Sequence, residues 1–466
     1  MKILFPDTSS IDHMESVELR QGEVRKRPEP VIVPEYPWED IYTYLYGSVL
    51  KRGPLYRMWY QSYVDGYGFF VNYARSTDGI QWQKPLKNKF TFEQPGIYPT
   101  VALDNKIQDF YSRQNSGGSY RTNIVSTYHI PSVIHDAGDK KSPYKLFGYT
   151  DNGFCAAFSR DGIHFREYEH NPVIPLMTFP NTLTNKIWFS DVAPAFKDSV
   201  KNRFVAFVKT YIIDDQGRTR RCVGFSESDD FKTWSNPETI WVPGPSEDAL
   251  AMAKGFKWAD YYGLCGFNYG DAYLGFLWLF SVDHEVERGT HDGRVEIYLA
   301  HSDDCRSWKR LSDEPLISLS RGGWDSDMIY TANAPVFLKE KILVYYGGSN
   351  FSHGVGHEGM PYDLERHGFK IGVAEVRKEG FAYAHSSSGG YIITKPVIMR
   401  KGELRLNLDA SGGRIAVNIM KGNESAAAFD INKINSTDYS LMTGVKGVVA
   451  LKIILNNAKL YSLDAL

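Results

Sequence analysis

Several large protein classes are missing from this 466-residue chain. Its four cysteines, Cys155, Cys222, Cys265 and Cys305, lie far apart with no Cys-x-x-Cys pair, so neither a disulfide framework nor a thiolate metal site is indicated. No run approaches the ~20 apolar residues of a membrane-spanning helix, and no membrane partner is expected. Lys and Arg (53) nearly balance Asp and Glu (55) without forming a basic stripe, which argues against a nucleic-acid partner. Convincing amphipathic helices are also absent. The opening Met-Lys-Ile-Leu-Phe, broken by Pro6 and Asp7, is too short for the core of a secretory signal. The compartment is left open between cytoplasm and the mature form of an exported protein.

Aromatic residues and repetition are what the chain does have. It carries 10 Trp, 30 Tyr and 26 Phe, many in strand-like runs. Such residues pack β cores and also line sugar-binding clefts, and composition does not separate the two. One element reads Ala74-Arg-Ser76-Thr-Asp78-Gly79-Ile-Gln-Trp82, and a second Ala157-Phe-Ser159-Arg-Asp161-Gly162-Ile-His-Phe165. A third, Gly224-Phe-Ser226-Glu-Ser-Asp229-Asp-Phe-Lys-Thr-Trp234, is read with two extra residues, and the fourth is Ala300-His-Ser302-Asp-Asp304-Cys-Arg-Ser-Trp308. Each fits a strand, a tight turn, and an aromatic suited to pack on the neighbouring repeat; Asp-Gly favours such turns because Gly accepts φ > 0. An apolar, aromatic strand precedes each element, and a fifth, Ile342–Tyr346, is followed by Ile371–Glu375 without the turn. Several strands per repeat, arranged radially, are the propeller solution to unpaired sheet edges.

The fold expected is therefore all-β: a five-bladed β-propeller over residues 1–385, then a small C-terminal β-sandwich over 386–466. The texture changes at Ala384-His-Ser-Ser-Ser-Gly-Gly390, which has the composition of a linker.

The Ser-x-Asp-Gly-x-x-Trp elements resemble those of the five-bladed glycoside hydrolases of families 32, 43 and 68. Arg57-Met-Trp59-Tyr60, Trp324-Asp325, Tyr345-Tyr346-Gly-Gly348, the closing Ile371–Phe381 run and the terminal Ala458–Leu463 are similar to pieces of loosely described family-32-like proteins. The Asn-Asp-Pro, Arg-Asp-Pro and Glu-Cys signatures of family 32 are missing, so the resemblance transfers architecture but no catalytic residue. Sialidase Asp boxes separate Ser from Trp by seven residues, whereas three of the four elements here have six, a poorer match.

Glycoside hydrolysis needs two carboxyl groups, one protonated as acid and one ionised as base or nucleophile. In a propeller, acids just before the innermost strands lie on one ring around the axis. That rule selects Glu39, Asp191 and Asp325 as candidate catalytic residues, each near a Trp. Glu247, Asp248 and Asp260 also satisfy it, although Gly-Pro-Ser-Glu-Asp has the composition of a plain loop. Any one of these acids could equally be a turn residue capping backbone amides. Trp38, Tyr98, Arg121, Trp324, Asp327 and His353 are the candidate substrate-binding residues. His353, His357 and His367 share a loop too glycine-rich for a helical metal pair, so no metal or cofactor is expected. Three functions stay open: a glycoside hydrolase on an oligo- or polysaccharide, a phosphorylase with a basic pocket from Arg121, Arg321 and His353, or a non-catalytic glycan-binding propeller.

Overall fold

The computed structural model describes residues 2–39, 42–64, 68–90, 120–176, 178–179, 187–287, 290–355 and 368–466. Many of the strands before residue 350 are buried on both faces for most of their length, and five antiparallel sets follow one another. The first comprises Tyr42–Arg52, Leu55–Val64, Gly68–Ser76 and Ile124–Ser126. The second runs His129–His135, Tyr144–Thr150, Gly153–Ser159 and Arg166–Glu167. The third is Ala195–Asp198, Arg203–Ile213, Thr219–Ser228 and Glu238–Trp241. Trp258–Tyr269, Ala272–Glu287, Thr290–Ser302 and Lys309–Arg310 form the fourth. The fifth consists of Met328–Thr331, Lys341–Ser349 and Phe369–Arg377, and Val24–Lys26 from the start of the chain pairs with its last strand.

The first strands of these sets form a ring. Tyr42–Arg52 lies against His129–His135, which meets Ala195–Asp198, which meets Trp258–Tyr269. Tyr262 and Tyr330, with ring centroids 5.2 Å apart, continue it to Met328–Thr331, which returns to Tyr42–Arg52. The sets are thus blades of a β-propeller, and their radial arrangement leaves only short, protected strand edges.

The repeated turns hold neighbouring blades together. Asp78, Asp161, Asp230 and Asp304 each accept two backbone N–H groups at 2.6–2.9 Å, and the preceding Ser accepts a third. The third element therefore starts at Ser228, not Ser226, and needs no extra residues: Ser228-Asp-Asp230-Phe231-Lys-Thr-Trp234 keeps the six-residue spacing of the others. The residue after the Asp has φ between 66° and 79° in all four: Gly79, Gly162, Phe231 and Cys305. At the two glycines a neighbouring side chain fills the place of a Cβ. A Cβ on Gly79 would lie 2.5 Å from Tyr345 Oη, and one on Gly162 2.8 Å from the Trp59 ring. Tyr345 and Trp59 donate to the Gly79 and Gly162 carbonyls at 2.8 and 2.7 Å.

The aromatic that closes each element packs on the preceding blade. Trp82 meets Tyr345, Trp234 meets Phe147 and Trp308 meets Phe207, at 5.8, 4.7 and 5.4 Å between centroids. Phe165 joins the cluster around Trp59 and Tyr73. Trp234 and Trp308 are buried, whereas Trp82 and Phe165 are partly so.

The terminal sandwich corrects the expectation that residues from 1 onward belong with the propeller. Lys2–Leu4 pairs with Ala458–Ala465, Ile11–Glu15 with Gly390–Thr394, and Glu18–Gln21 with Ala382–Ser386. Both sandwich sheets thus take strands from the start of the chain, and Ile3, Phe5, Ile11 and Val17 enter the core of the later strands. Such pairing across the chain has no local signal. One short helix, Pro245–Ala253, replaces the loop expected around Glu247: Pro follows Gly244, and Glu247 accepts the Gly244 N–H at 2.9 Å, a capping arrangement at the third helical position. No helix among the described residues is long and apolar enough to cross a membrane.

Candidate active site

Where the first strands converge, they leave a cavity of about 630 Å3. Every described lining residue lies between Tyr42 and Phe369, so the sandwich contributes none. Tyr42, Tyr44, Tyr46, Tyr262 and Tyr330 build much of the wall. Burial pushes the Tyr44, Tyr46 and Tyr330 phenols well above the usual range, so they remain protonated donors.

Asp191 is the single carboxylate among the described lining residues. A quarter of its side chain is exposed, towards the cavity. Lys209 Nζ lies 2.8 Å from Oδ1, Ser190 Oγ donates at 2.6 Å, and His129 Nδ1 is 3.4 Å from Oδ2. Burial opposes its charge, but Lys209 and His129 prevail and hold the carboxyl below the ordinary carboxylate range. Asp191 in turn keeps the Lys209 ammonium charged against burial.

Backbone irregularity aims His129. The register slips between His129 and Ser132, and Ile130 adopts φ 50°, an uncommon conformation for a β-branched residue. Gln61 Oε1 accepts the Ile130 N–H at 3.0 Å and holds the bulge. His129 stacks on Phe69 with centroids 3.6 Å apart, and burial pushes its imidazole down to about 4 despite the pull of Asp191. It is neutral at pH 7 and beside an ionised carboxylate, the pairing that can orient an imidazole as a base.

Alternation along two neighbouring strands places Lys209, Tyr211, Thr219 and Arg221 on the cavity face. Arg221 is tethered from behind by Asp260 at 3.2 Å, and its Nη1 lies 2.7 Å from His291 Nδ1. Asp260 also binds Arg220 at 3.0 Å and is fully buried, so this candidate acid orients arginines rather than facing the cavity. His353 does line the cavity; its Nε2 is 3.1 Å from Tyr262 Oη.

The ring of three acids does not form. Glu39 is fully buried, accepts the Glu35 and Tyr36 N–H groups at 2.7 and 3.0 Å, binds Lys84 at 2.8 Å and receives the Tyr60 hydroxyl. Asp325 is buried with Lys26 at 2.8 Å and Tyr346 Oη at 3.0 Å. Neither lines the cavity. In both, the tyrosine lies 21 residues beyond the acid on the next strand, so one structural clamp recurs in blades one and five.

The aromatic neighbours belong to the clamps too. Trp38 is buried, stacks on Tyr36 and donates to Asn123 at 2.7 Å; Trp324 stacks on Tyr346 and donates to the Pro28 carbonyl at 3.0 Å. Asp327 pairs with Arg294 at 2.9 Å outside the cavity, and Arg121 and Arg321 are exposed. Tyr98, His357 and His367 lie outside the described residues. Two described groups bring His and carboxylate ligand atoms within 4.8 Å of one another, Asp7–His301–Asp303 and Asp283–His284–Asp292, and none of these residues lines the cavity.

No protein-family model matches the sequence, and none of the curated proteins does. Solved structures similar to it include an N-acetylgalactosamine deacetylase from F. plautii in complex with blood group B trisaccharide, at 14% identity and TM-score 0.47, covering 78% of this chain and 96% of that one. Another is the α-L-arabinofuranosidase from Podospora anserina in complex with cellotriose, at 10% identity and TM-score 0.45, covering 78% and 98%. A third is the β-1,2-mannobiose phosphorylase from Listeria innocua, at 10% identity and TM-score 0.44, covering 76% and 96%.

Proposed function

We propose that this chain is a carbohydrate-active enzyme that hydrolyses O-glycosyl bonds in the central cavity, with Asp191 as its ionised carboxylate. The observation that supports this is a cavity walled by tyrosines in which one carboxylate is held charged while still facing the open space. An ionised carboxylate suits the base that activates water, or the nucleophile, and not the acid. The flat faces of Tyr and Phe residues suit the C–H faces of sugar rings, and protonated phenols suit their hydroxyls.

A second reading is phosphorolysis in the same cavity. Lys209 and Arg221 on its wall favour it, because a phosphate nucleophile needs cations rather than a second carboxylate. Of the residues expected to supply that pocket, His353 lines the cavity, whereas Arg121 and Arg321 do not.

A panel of aryl glycosides and oligosaccharides, assayed with and without inorganic phosphate, tests both readings. Phosphate-independent release of reducing sugar that is lost in Asp191→Asn supports hydrolysis. Phosphate-dependent release of a sugar phosphate supports phosphorolysis. Glycan affinity without turnover by the intact chain would leave a binding protein.

A further inference from the structure

His301 is 1% exposed, yet neither of its ring nitrogens makes a hydrogen bond. Leaving a buried polar side chain unsatisfied is costly, so a partner is expected there. Its Nε2 faces two carboxylates, Asp303 Oδ1 at 3.5 Å and Asp7 Oδ2 at 3.6 Å. Both separations exceed the roughly 2.7–3.2 Å of an N–H···O bond. They match the edge of a tetrahedron around an ion with bonds of about 2.1 Å, which is about 3.4 Å. Asp7 also borders a cavity of about 210 Å3, with room for water to complete a coordination shell.

We propose that Asp7, His301 and Asp303 bind a divalent cation of the zinc type. One imidazole and two carboxylates form a borderline-hard ligand set, with at least one position left for water. The ligands come from two parts of the fold. Asp7 follows the first sandwich strand, whereas His301 is the last residue but one of the third strand of blade four and Asp303 sits in its repeated turn. Arg75, Phe158 and Glu227 stand where His301 does in the other three elements, so the site belongs to this blade alone. The ion fastens the start of the chain, which is built into the sandwich, to the propeller.

The test uses the full chain after chelator treatment, titrated with Zn2+ by calorimetry and with Co2+ as an optical probe. The expected result is a saturable site, intense tetrahedral Co2+ bands, and a melting temperature that rises with Zn2+. Asp303 is 68% exposed, so Asp303→Asn should fold and melt like the metal-free parent. It should weaken that site about 10-fold or more. Asp7→Asn should do the same. The assignment is overturned if the parent has no saturable site, or if both variants bind Zn2+ and gain stability as the parent does. None of the three residues lines the central cavity, so the result is independent of the proposed activity.

Discussion

The starts of blades one and five carry acids in the same setting as the start of blade three, and the fold uses them differently. Glu39 and Asp325 each follow a Trp, point into protein and are closed off by a Tyr and a Lys. Asp191 has its Lys on the cavity wall and keeps part of its surface open. Position before an inner strand is therefore not what makes an acid available. The partner offered by the second strand decides: a Tyr on that strand draws the carboxylate into the interior, and an ammonium on the cavity face holds it at the opening.

The contrast is broken or sharpened most strongly by Asp191→Asn. We expect turnover of the identified substrate to fall by about 10²–10⁴-fold per folded molecule, with a loss of stability beside it because the buried Lys209 is left without its carboxylate, as measured by initial rates and thermal unfolding. Retained activity would return blade three to the structural group. Glu39→Gln and Asp325→Asn should cost stability without costing turnover. Glu39→Gln leaves the buried Lys84 without its carboxylate, at about 3–5 kcal/mol in denaturant unfolding, Asp325→Asn costs less because Lys26 is partly exposed, and in both activity per folded molecule stays within a few-fold. Loss of turnover in well-folded protein would show that a clamp also serves chemistry.

A smaller effect concerns pH. His129 stays neutral in the folded chain down to about pH 4, whereas an unfolded imidazole takes up its proton near ~6.5. The unfolded state thus binds more protons in that window, and stability falls as pH drops through it, by up to about 3 kcal/mol. His129→Gln should flatten that part of the pH–stability curve in urea titrations; an unchanged slope would mean that the imidazole is not buried as described. The smallest effect expected is at the turns. Gly79→Ala puts a side chain at φ 79° against Tyr345 and should cost about 1–3 kcal/mol. Thr77→Ala, at the variable position of the same turn, should change stability by less than about 0.5 kcal/mol.

Much of the architecture is legible because its causes are local. Ser76, Asp78 and Gly79 make their turn from their own backbone, so the same letters predict the same turn wherever they recur. The third element is misaligned at Ser226 because Phe231 takes the positive φ that Gly signals elsewhere, which leaves two serines to choose between. Cys305 hides the fourth turn in the same way, and only its Ser, Asp and Trp reveal it.

Of the three acids nominated from the sequence, Asp191 lines the cavity and Glu39 and Asp325 do not. The tyrosine 21 residues beyond Glu39 and beyond Asp325 is a sequence signal that separates these two from Asp191, but it means nothing until the strand register is known. His129 has no such signal. It reaches the cavity through a bulge at Ile130, held by Gln61 from another blade.

By itself, then, the sequence determined an all-β chain of repeated strand sets with interlocking turns, because hydrogen bonds within a few residues and short apolar, aromatic runs dictate them. Only the tertiary structure decided that residues 2–21 complete the distant sandwich, that Val24–Lys26 joins blade five, and that Asp191 alone of the three acids meets the cavity. Those outcomes depend on which residues from remote segments share a pocket, a strand edge or a counter-ion, and burial and charge pairing act through space without regard to separation along the chain.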